Sequence, residues 1–350
     1  MKSFRFIDVS GVGNSGKTAI VDLLREVEGV SVPPYWFEFD FIRIQNGLLD
    51  LRHRLFEDWS PVRAHYAIQA FCRVAEQMGR DPDWWDLRGL LDSTSQRYDR
   101  HFGGDFVRLS KEFANSFIAL RYVAEWPYDD LQLWAVWRFL RKIVIKFGFR
   151  RVLRRSVHVP DAQDFDRRAA DYLAVLFSRR VPPGNDHVVL NNGLEPFNPL
   201  PGLDMIEGSR QIVVTRDPRD VYVSGLNRHK VNGVDAKLLP FDNDGLNKSF
   251  LATDNLKEYV RRQRLFYSHI YAGGDPRVLQ VRFEDLCLAY ELTVQKILDF
   301  LDIDPVRHTA PRSTFIPEKS QSGVGLWRSY SKQDEIAFIA QELPDLIGQD

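Results

Sequence analysis

The stretch Gly11-Val-Gly-Asn-Ser-Gly16-Lys17-Thr18 most constrains what this chain can fold into, because it matches the phosphate-cradling pattern G-x-x-x-x-G-K-[ST] in full. An alternating apolar run before it (Phe4, Phe6, Ile7, Val9) predicts a short buried strand. The spacing of Ile20, Val21, Leu23 and Leu24 predicts a helix from Lys17. Glycines between a strand and a helix let the backbone curl so that consecutive N–H groups point inward, and the helix N-terminus adds positive potential. The candidate phosphate contacts are therefore Gly11, Gly13, Asn14, Ser15, Gly16, Lys17, Thr18 and Ala19, with Lys17 as the point charge. The alternative is an ordinary glycine-rich strand-to-helix turn. The loop asks for a phosphate-bearing nucleotide without saying which.

Strand–helix alternation recurs near the other end of the chain. Val188–Leu190 reads as a short buried strand, followed by Asn191-Asn192-Gly193. Arg210–Thr215 reads as another, with Asp217 as N-cap and Pro218 at the first position of the next helix. Helices are expected over Leu256–Tyr271, Glu291–Leu301 and from about Lys332, with a strand at Arg277–Val281. Val30–Phe41 reads as a turn and second strand, placing Glu38 and Asp40 on one face near its end. From Ile44 to about Arg180 turn signals thin out. Helical periodicity there covers Val62–Met78, Phe106–Ala124, Leu131–Leu153 and Phe165–Phe177. The fold expected is α/β, a three-layer sandwich with a central parallel sheet in residues 1–43 and 187–350, interrupted by a large, mostly helical insertion over 44–186. Ligand would bind at the C-terminal ends of the strands.

Bulk properties exclude several classes. A net charge of −1 over 350 residues leaves no global basic field, so no nucleic-acid partner is expected. Cys72 and Cys287 lie far apart in sequence and suggest no disulfide framework or zinc site. The chain runs straight into a strand, and no uncharged apolar run approaches membrane-spanning length, so the expected location is the cytoplasm. One segment departs from the neutral average. Leu131–Pro160 holds eight basic residues and no acid, interleaved with Trp134, Trp137, Phe139, Phe147 and Phe149. It reads as a basic amphipathic helix that can meet an anionic membrane or a polyanionic substrate; the alternative is a solvated face balanced by neighbouring acids. Trp59, Trp84, Trp85 and Trp126 can form sugar-stacking platforms, or pack in the core.

Arg216 follows the Arg210–Thr215 strand, and Ser224 lies two helical turns further on. An arginine fork and a hydroxyl so placed can grip a second phosphate, each charge-assisted bond contributing about 1.5–3 kcal/mol. Alternatively Arg216 pairs with a carboxylate such as Asp220.

The segment V-V-T-R-D-P-R-D-V-Y-V-S, with Arg216 and Ser224, resembles the 3′-phosphate motif of sulfotransferases that use 3′-phosphoadenosine-5′-phosphosulfate (PAPS). Three other stretches resemble that family in chain order: the 11–20 loop, Val278–Leu301 (VLQVRFEDL…TVQKILDFL), and Ser320–Tyr330 (SQSGVGLWRSY). The likeness covers 1–41 and 188–343. It implies sulfuryl transfer from PAPS to a hydroxyl acceptor, with a glycan or lipid-linked glycan as the candidate class, PAP as the product nucleotide and no metal. It also implies nucleotide contacts from Ser322, Gly325, Trp327 and Arg328; Trp327 stacks on adenine or else anchors the last helix. Glu284-Asp285 would cap a helix beginning near Leu286.

One departure matters. The family usually has a basic residue, most often lysine, two positions before the loop's second glycine, and here that position is Asn14. Either Lys17 takes over neutralising the leaving oxygen, which is the reading adopted, or the loop holds a true nucleoside triphosphate. In the second case the chain is an ATP- or GTP-dependent small-molecule or sugar kinase, with Thr18 and Asp217 beside Mg²⁺. A nucleotide-binding protein without catalysis is a third class. Sulfuryl transfer needs a base for the acceptor hydroxyl. Glu38 and Asp40 lie in the region where glycan-modifying members keep a catalytic glutamate. Glu195 is third, while His187 and His229 sit at less natural places.

Overall fold

A computed structural model describes residues 4–35, 37–80, 97–126, 128–129, 133–149, 154–231 and 255–347, with side chains of 228–231 left out. Strands are β1 (Arg5–Gly11), β2 (Val30–Ser31), β3 (Ile118–Glu125), β4 (Arg154–Pro160), β5 (His187–Val189), β6 (Arg210–Thr215) and β7 (Val278–Arg282). Helices of eight residues or more among the described residues are α1 (Lys17–Leu24), α2 (Pro61–Gly79), α3 (Phe106–Ser116), α4 (Ala135–Lys146), α5 (Phe165–Ser178), α6 (Pro218–Val231), α7 (Leu256–His269), α8 (Tyr290–Leu301) and α9 (Gln333–Glu342).

A five-stranded sheet in the order β2-β5-β1-β6-β7 forms the middle layer, and every pairing in it is parallel. Parallel strands are covered on both faces by their crossover helices, so their sequences read as continuous apolar runs. Phe4, Phe6 and Val188 point to one face, into a core shared with α2, α3 and α5. Ile7, Val9, Val189, Ile212 and Val214 point to the other, against α1 and α8. The three-layer α/β sandwich expected from the sequence is the fold observed. β1 lies at the centre, so its C-terminal loop opens where four strand ends converge.

Three segments differ from expectation. The second strand is only Val30–Ser31, since Pro33 and Pro34 cannot donate to a ladder. Alternation nevertheless persists over 37–41: Phe37, Phe39 and Phe41 are buried, and Glu38 and Asp40 face the other way. The helices expected over Phe106–Ala124 and Leu131–Leu153 are shorter, ending at Ser116 and Lys146. Between and after them, β3 and β4 pair antiparallel as a two-stranded ribbon. Gly148, at φ 88°, turns the chain out of α4 in a conformation that costs a glycine little. The β-branched and aromatic runs of β3 and β4 then fit a pleated surface better than a helix.

Candidate active site

The glycine loop leaves β1 at Gly11 and enters α1 at Lys17. Asn14 (φ 63°) and Gly16 (φ 88°) take left-handed conformations that turn it, and the Ser15 N–H donates to the Val12 carbonyl at 3.0 Å. At Gly11 an added Cβ would stand 2.6 Å from the Val214 carbonyl oxygen, and at Gly16 2.4 Å from the Phe283 ring. Those two glycines are required by close approach, not by the loop's outline alone.

Lys17 Nζ donates to Glu38 Oε1 at 2.5 Å, and Asn192 Nδ2 donates to Glu38 Oε2 at 3.3 Å. Glu38 is placed by the aromatic core beneath it. Tyr98, fully buried, donates its hydroxyl to the Glu38 carbonyl at 2.6 Å and accepts the Asp40 N–H at 2.9 Å. Asn191 Nδ2 donates to the Phe37 carbonyl at 2.8 Å. Phe37 in turn stacks on His101 with centroids 3.7 Å apart. Asp8, buried on β1, supports the same corner: it accepts the Gly193 N–H at 2.6 Å and Gln211 Nε2 at 3.0 Å. Burial pushes the Asp8 carboxyl up to about 6, against the pull of those donors and of Lys17.

Asp40 and Glu195 converge on a residue the sequence reading missed. Arg43 bonds Asp40 Oδ1 at 2.6 Å and Glu195 Oε1 at 2.9 Å. Burial raises the Asp40 carboxyl above its ordinary value, and Arg43 opposes that rise. The three candidate acids thus divide between two cations: Glu38 faces Lys17, while Asp40 and Glu195 share Arg43. An arginine three residues after an acid is a common helical-turn pair, and that spacing was the available signal. His187 is buried with Nδ1 2.7 Å from Asp186, outside this constellation. The side chain of His229 lies outside the described residues.

On the other side of the loop, Arg216 is 8% exposed. Its Nη1 donates to the Asn14 carbonyl at 3.3 Å, its Nη2 to the Gly323 carbonyl at 2.5 Å, and it lies over the Phe283 ring at 4.7 Å. It therefore links the glycine loop to the C-terminal loop. Asp220, the carboxylate offered as its alternative partner, instead accepts the N–H groups of Gly325 (2.8 Å) and Trp327 (3.2 Å). Ser224 is half-buried on α6, beside Gly225, whose added Cβ would lie 3.8 Å from Asn14 Nδ2. Asp217 caps α6 through the Arg219 N–H (2.8 Å) and pairs with the Arg219 guanidinium (2.7 Å), which stacks on Trp327 at 4.0 Å. Ser322 donates to the Lys319 carbonyl and Arg328 lies 5.2 Å from the Trp327 ring, both at the surface side of this loop. Glu284 does not cap the helix after β7, which starts at Phe283; it accepts the Asp217 N–H at 2.7 Å and ties two strand ends together.

A cavity of about 370 Å³ opens beside the loop, lined by Gly16, Thr18, Ala19, Phe283, Thr314 and Phe315. Its far wall is held by Glu26, fully buried, which accepts His308 Nε2 (2.9 Å) and the N–H groups of Arg312 (3.0 Å), Thr314 (2.8 Å) and Phe315 (2.7 Å). Among the described residues no group of three or more His, Cys, Asp or Glu is arranged to hold a metal. Nor is any described helix long and apolar enough to cross a membrane. Trp126 is buried and donates to Tyr66, as expected for core; Trp59, half exposed, donates to the Pro160 carbonyl; Trp84 and Trp85 lie outside the described residues.

Residues 151–307 match the family model described as the Sulfotransferase family. That match covers rather less than half of the chain, and it spans β5, β6 and β7 with the Arg216 turn. Solved structures similar to the chain include the sulfotransferase domain from the Synechococcus PCC 7002 olefin synthase (15% identity, 97% of this chain and 94% of that one, TM-score 0.38). Sulfotransferase STF9 from Mycobacterium avium is similar at 14% identity, covering 99% of this chain and 76% of that one, with a TM-score of 0.35. Retinol dehydratase in complex with androsterone and inactive cofactor PAP is similar at 14% identity, 98% and 81% coverage, and a TM-score of 0.37. A comparison with curated proteins finds no match.

Proposed function

We propose that this protein is a sulfotransferase that moves a sulfuryl group from PAPS to a hydroxyl acceptor. The observation that carries the reading is Arg216: a buried guanidinium that bonds the carbonyls of both the glycine loop and the 320s loop, yet has no carboxylate within ion-pair distance among the described residues. A buried cation without an acid is costly unless an anion arrives. The residues present fit a bisphosphate nucleotide. Arg216 Nε and Ser15 Oγ are both buried without a hydrogen-bond partner. Arg216 and Ser224 would hold a 3′-phosphate, the 11–18 loop a 5′-phosphosulfate, and the 370 Å³ cavity is large enough for a nucleoside.

The donor supplies an activated sulfuryl group whose leaving group is a phosphate. The protein's tasks are to hold donor and acceptor in line and to stabilise charge on the departing oxygen. Lys17 and the loop N–H groups perform the second. Glu38 takes the proton of the acceptor hydroxyl as its oxygen bonds to sulfur and the sulfur–oxygen bond to the phosphate breaks. Lys17 stands against both Glu38 and the loop, so it can serve the leaving oxygen in place of the basic residue absent at Asn14. Asp40 and Glu195, committed to Arg43, position the segment that carries Glu38.

The kinase alternative needs an acid at the strand end to hold Mg²⁺, and Asp217 is already spent on the helix cap and on Arg219. Calorimetric titration with adenosine 3′,5′-bisphosphate, beside ATP with and without Mg²⁺, separates the two. Metal-independent, micromolar or tighter binding of the bisphosphate is expected, weakened at least about tenfold by Arg216→Ala. ATP binding only with Mg²⁺, or unchanged bisphosphate affinity in the variant, overturns the reading.

A further inference from the structure

The connection between β3 and β4 contains a helix that the core does not use. α4 runs from Ala135 to Lys146, and none of its residues is buried. Trp137 and Phe139 are each 63% exposed, and the flanking Trp134 and Phe147 are 83% and 76% exposed. At about 100° per residue, Val136, Trp137, Phe139, Leu140, Ile143 and Val144 share one side of the helix. Arg138, Arg141, Lys142 and Lys146 share the other, where Ala135 and Ile145 are the apolar residues. The ribbon that carries it is anchored at its opposite end, where the Asp161 N–H donates to the carbonyl of buried Phe117. The end nearer α4 is held as well, by Trp126 Nε1 donating to the Tyr66 hydroxyl of α2 at 3.1 Å, so α4 lies on the connection beyond a fixed base.

We propose that α4 docks this protein on an anionic lipid surface, lying in the interface with its apolar side in the acyl boundary and its basic side against the headgroups. Both sides of the helix need an explanation, and only this occupant uses both. A polyanionic chain would engage the cations and leave Trp137 and Phe139 in water. A protein groove would take the apolar side and gain little from the cations opposite. A second copy of the helix would cover the apolar side and leave the cations of both copies without a partner. A helix with segregated apolar and basic sides, aromatic at its flanks, is the geometry that interfacial binding selects. Arg138, Lys142 and Lys146 have no carboxylate partner among the described residues, so their charge is directed outward.

The test is co-sedimentation of the full chain with phosphatidylcholine vesicles, with and without about 30% phosphatidylglycerol, at low and high salt. Partitioning at least about tenfold stronger onto the anionic vesicles, and reduced by salt, is expected. Arg138→Glu with Lys142→Glu should lower it by a further tenfold or more, on the order of one factor of several per charge. Trp137→Ser with Phe139→Ser should lower it comparably. Thermal melting and bisphosphate affinity should be unchanged in both variants, since α4 contributes nothing to the core. Three outcomes overturn the proposal: no vesicle binding, equal binding to neutral vesicles, or loss in the charge variant alone. The last, together with retention on heparin, would assign the basic side to a polyanionic chain instead.

Discussion

The C-terminal edge of the sheet and the tip of the ribbon have similar compositions, both rich in arginine and aromatic side chains, but opposite fates. At the sheet edge every cation is already placed. Arg216 lies over Phe283, Arg219 is pinned between Asp217 and Trp327, and Arg43 joins Asp40 to Glu195. In α4 no residue is buried, and Trp137 and Phe139 stand in solvent. Desolvation separates the two cases. A buried charge must be held by fixed partners, so the sheet edge is preorganised for a small, charged ligand of one shape. An exposed amphipathic helix keeps its cations hydrated until it meets a surface, and recognises charge density and apolarity with little regard for shape.

If the sheet edge is preorganised for catalysis, its largest sensitivity should be chemical. Glu38→Gln keeps the size of the side chain and its contact with Lys17 but removes the proton acceptor. Transfer from radiolabelled PAPS should fall by about 10²–10⁴ with bisphosphate affinity nearly unchanged. Equal losses in rate and in nucleotide affinity would make Glu38 a binding partner of Lys17 only. Asp40→Asn should cost much less, because Asp40 acts through Arg43.

The next largest effect belongs to the wall of the 370 Å³ cavity beside the glycine loop. Glu26 answers three backbone N–H groups and His308 from within the core. Glu26→Ala would leave those donors buried and unanswered, at about 1–3 kcal/mol for each. A loss of several kcal/mol in chemical denaturation is expected, and bisphosphate affinity should fall with it because Thr314 and Phe315 line the cavity. A stability loss with affinity intact would separate Glu26 from the site.

Asp8 gives a pH-dependent version of the same contrast. Its folded carboxyl is raised to about 6 from an ordinary value of 3.8, chiefly by burial. The fold therefore favours the neutral acid. Between pH 3.8 and about 6 the folded state binds more proton than the unfolded state. The contribution is full below about 3.8 and is lost as pH rises through about 6, a change of about 3 kcal/mol. Denaturation of the wild type and of Asp8→Asn across pH 4–7 should differ by a slope of that sign. Parallel curves would mean that Asp8 titrates normally.

How much could be read beforehand follows from the range of the interactions. The glycine loop, the Asp217-Pro218 helix start and the strands β6 and β7 were legible, because each is fixed by chemistry within a few residues: positive φ, a missing N–H, apolar alternation. Glu38 and Asp40 do share a face, opposite the buried Phe37, Phe39 and Phe41, although no ladder forms there. Two parts were not legible. Arg43 joins Glu195 from across the insertion, and Tyr98 sets the Glu38–Asp40 backbone from another helix, so neither role leaves a local trace. The ribbon was mistaken for helix because Ile118–Glu125 and the residues after 146 mix apolar and basic residues in a way that suits either period. Burial decided it. β4 packs one side against α2, where the His158 N–H donates to His65 Nδ1 at 3.1 Å.

The smallest effect, at Phe139, sharpens the comparison most, because it sets one residue type at two sites side by side. Phe39 is completely buried, with Phe177 at 5.1 Å and Tyr98 at 5.6 Å between centroids, whereas Phe139 is 63% exposed. Phe39→Ala should cost about 3–5 kcal/mol, since the aromatic cluster beneath Glu38 loses its centre and cannot collapse around the gap. Phe139→Ala should stay within about 0.5 kcal/mol, as for substitutions on an ordinary surface. The argument runs through packing alone, so denaturant midpoints at one pH suffice to check it. A loss above 1 kcal/mol at Phe139 would mean that α4 folds back onto the protein and that its apolar side is part of the core. A negligible loss leaves an apolar side that the fold does not need, and so points outside the molecule for its use.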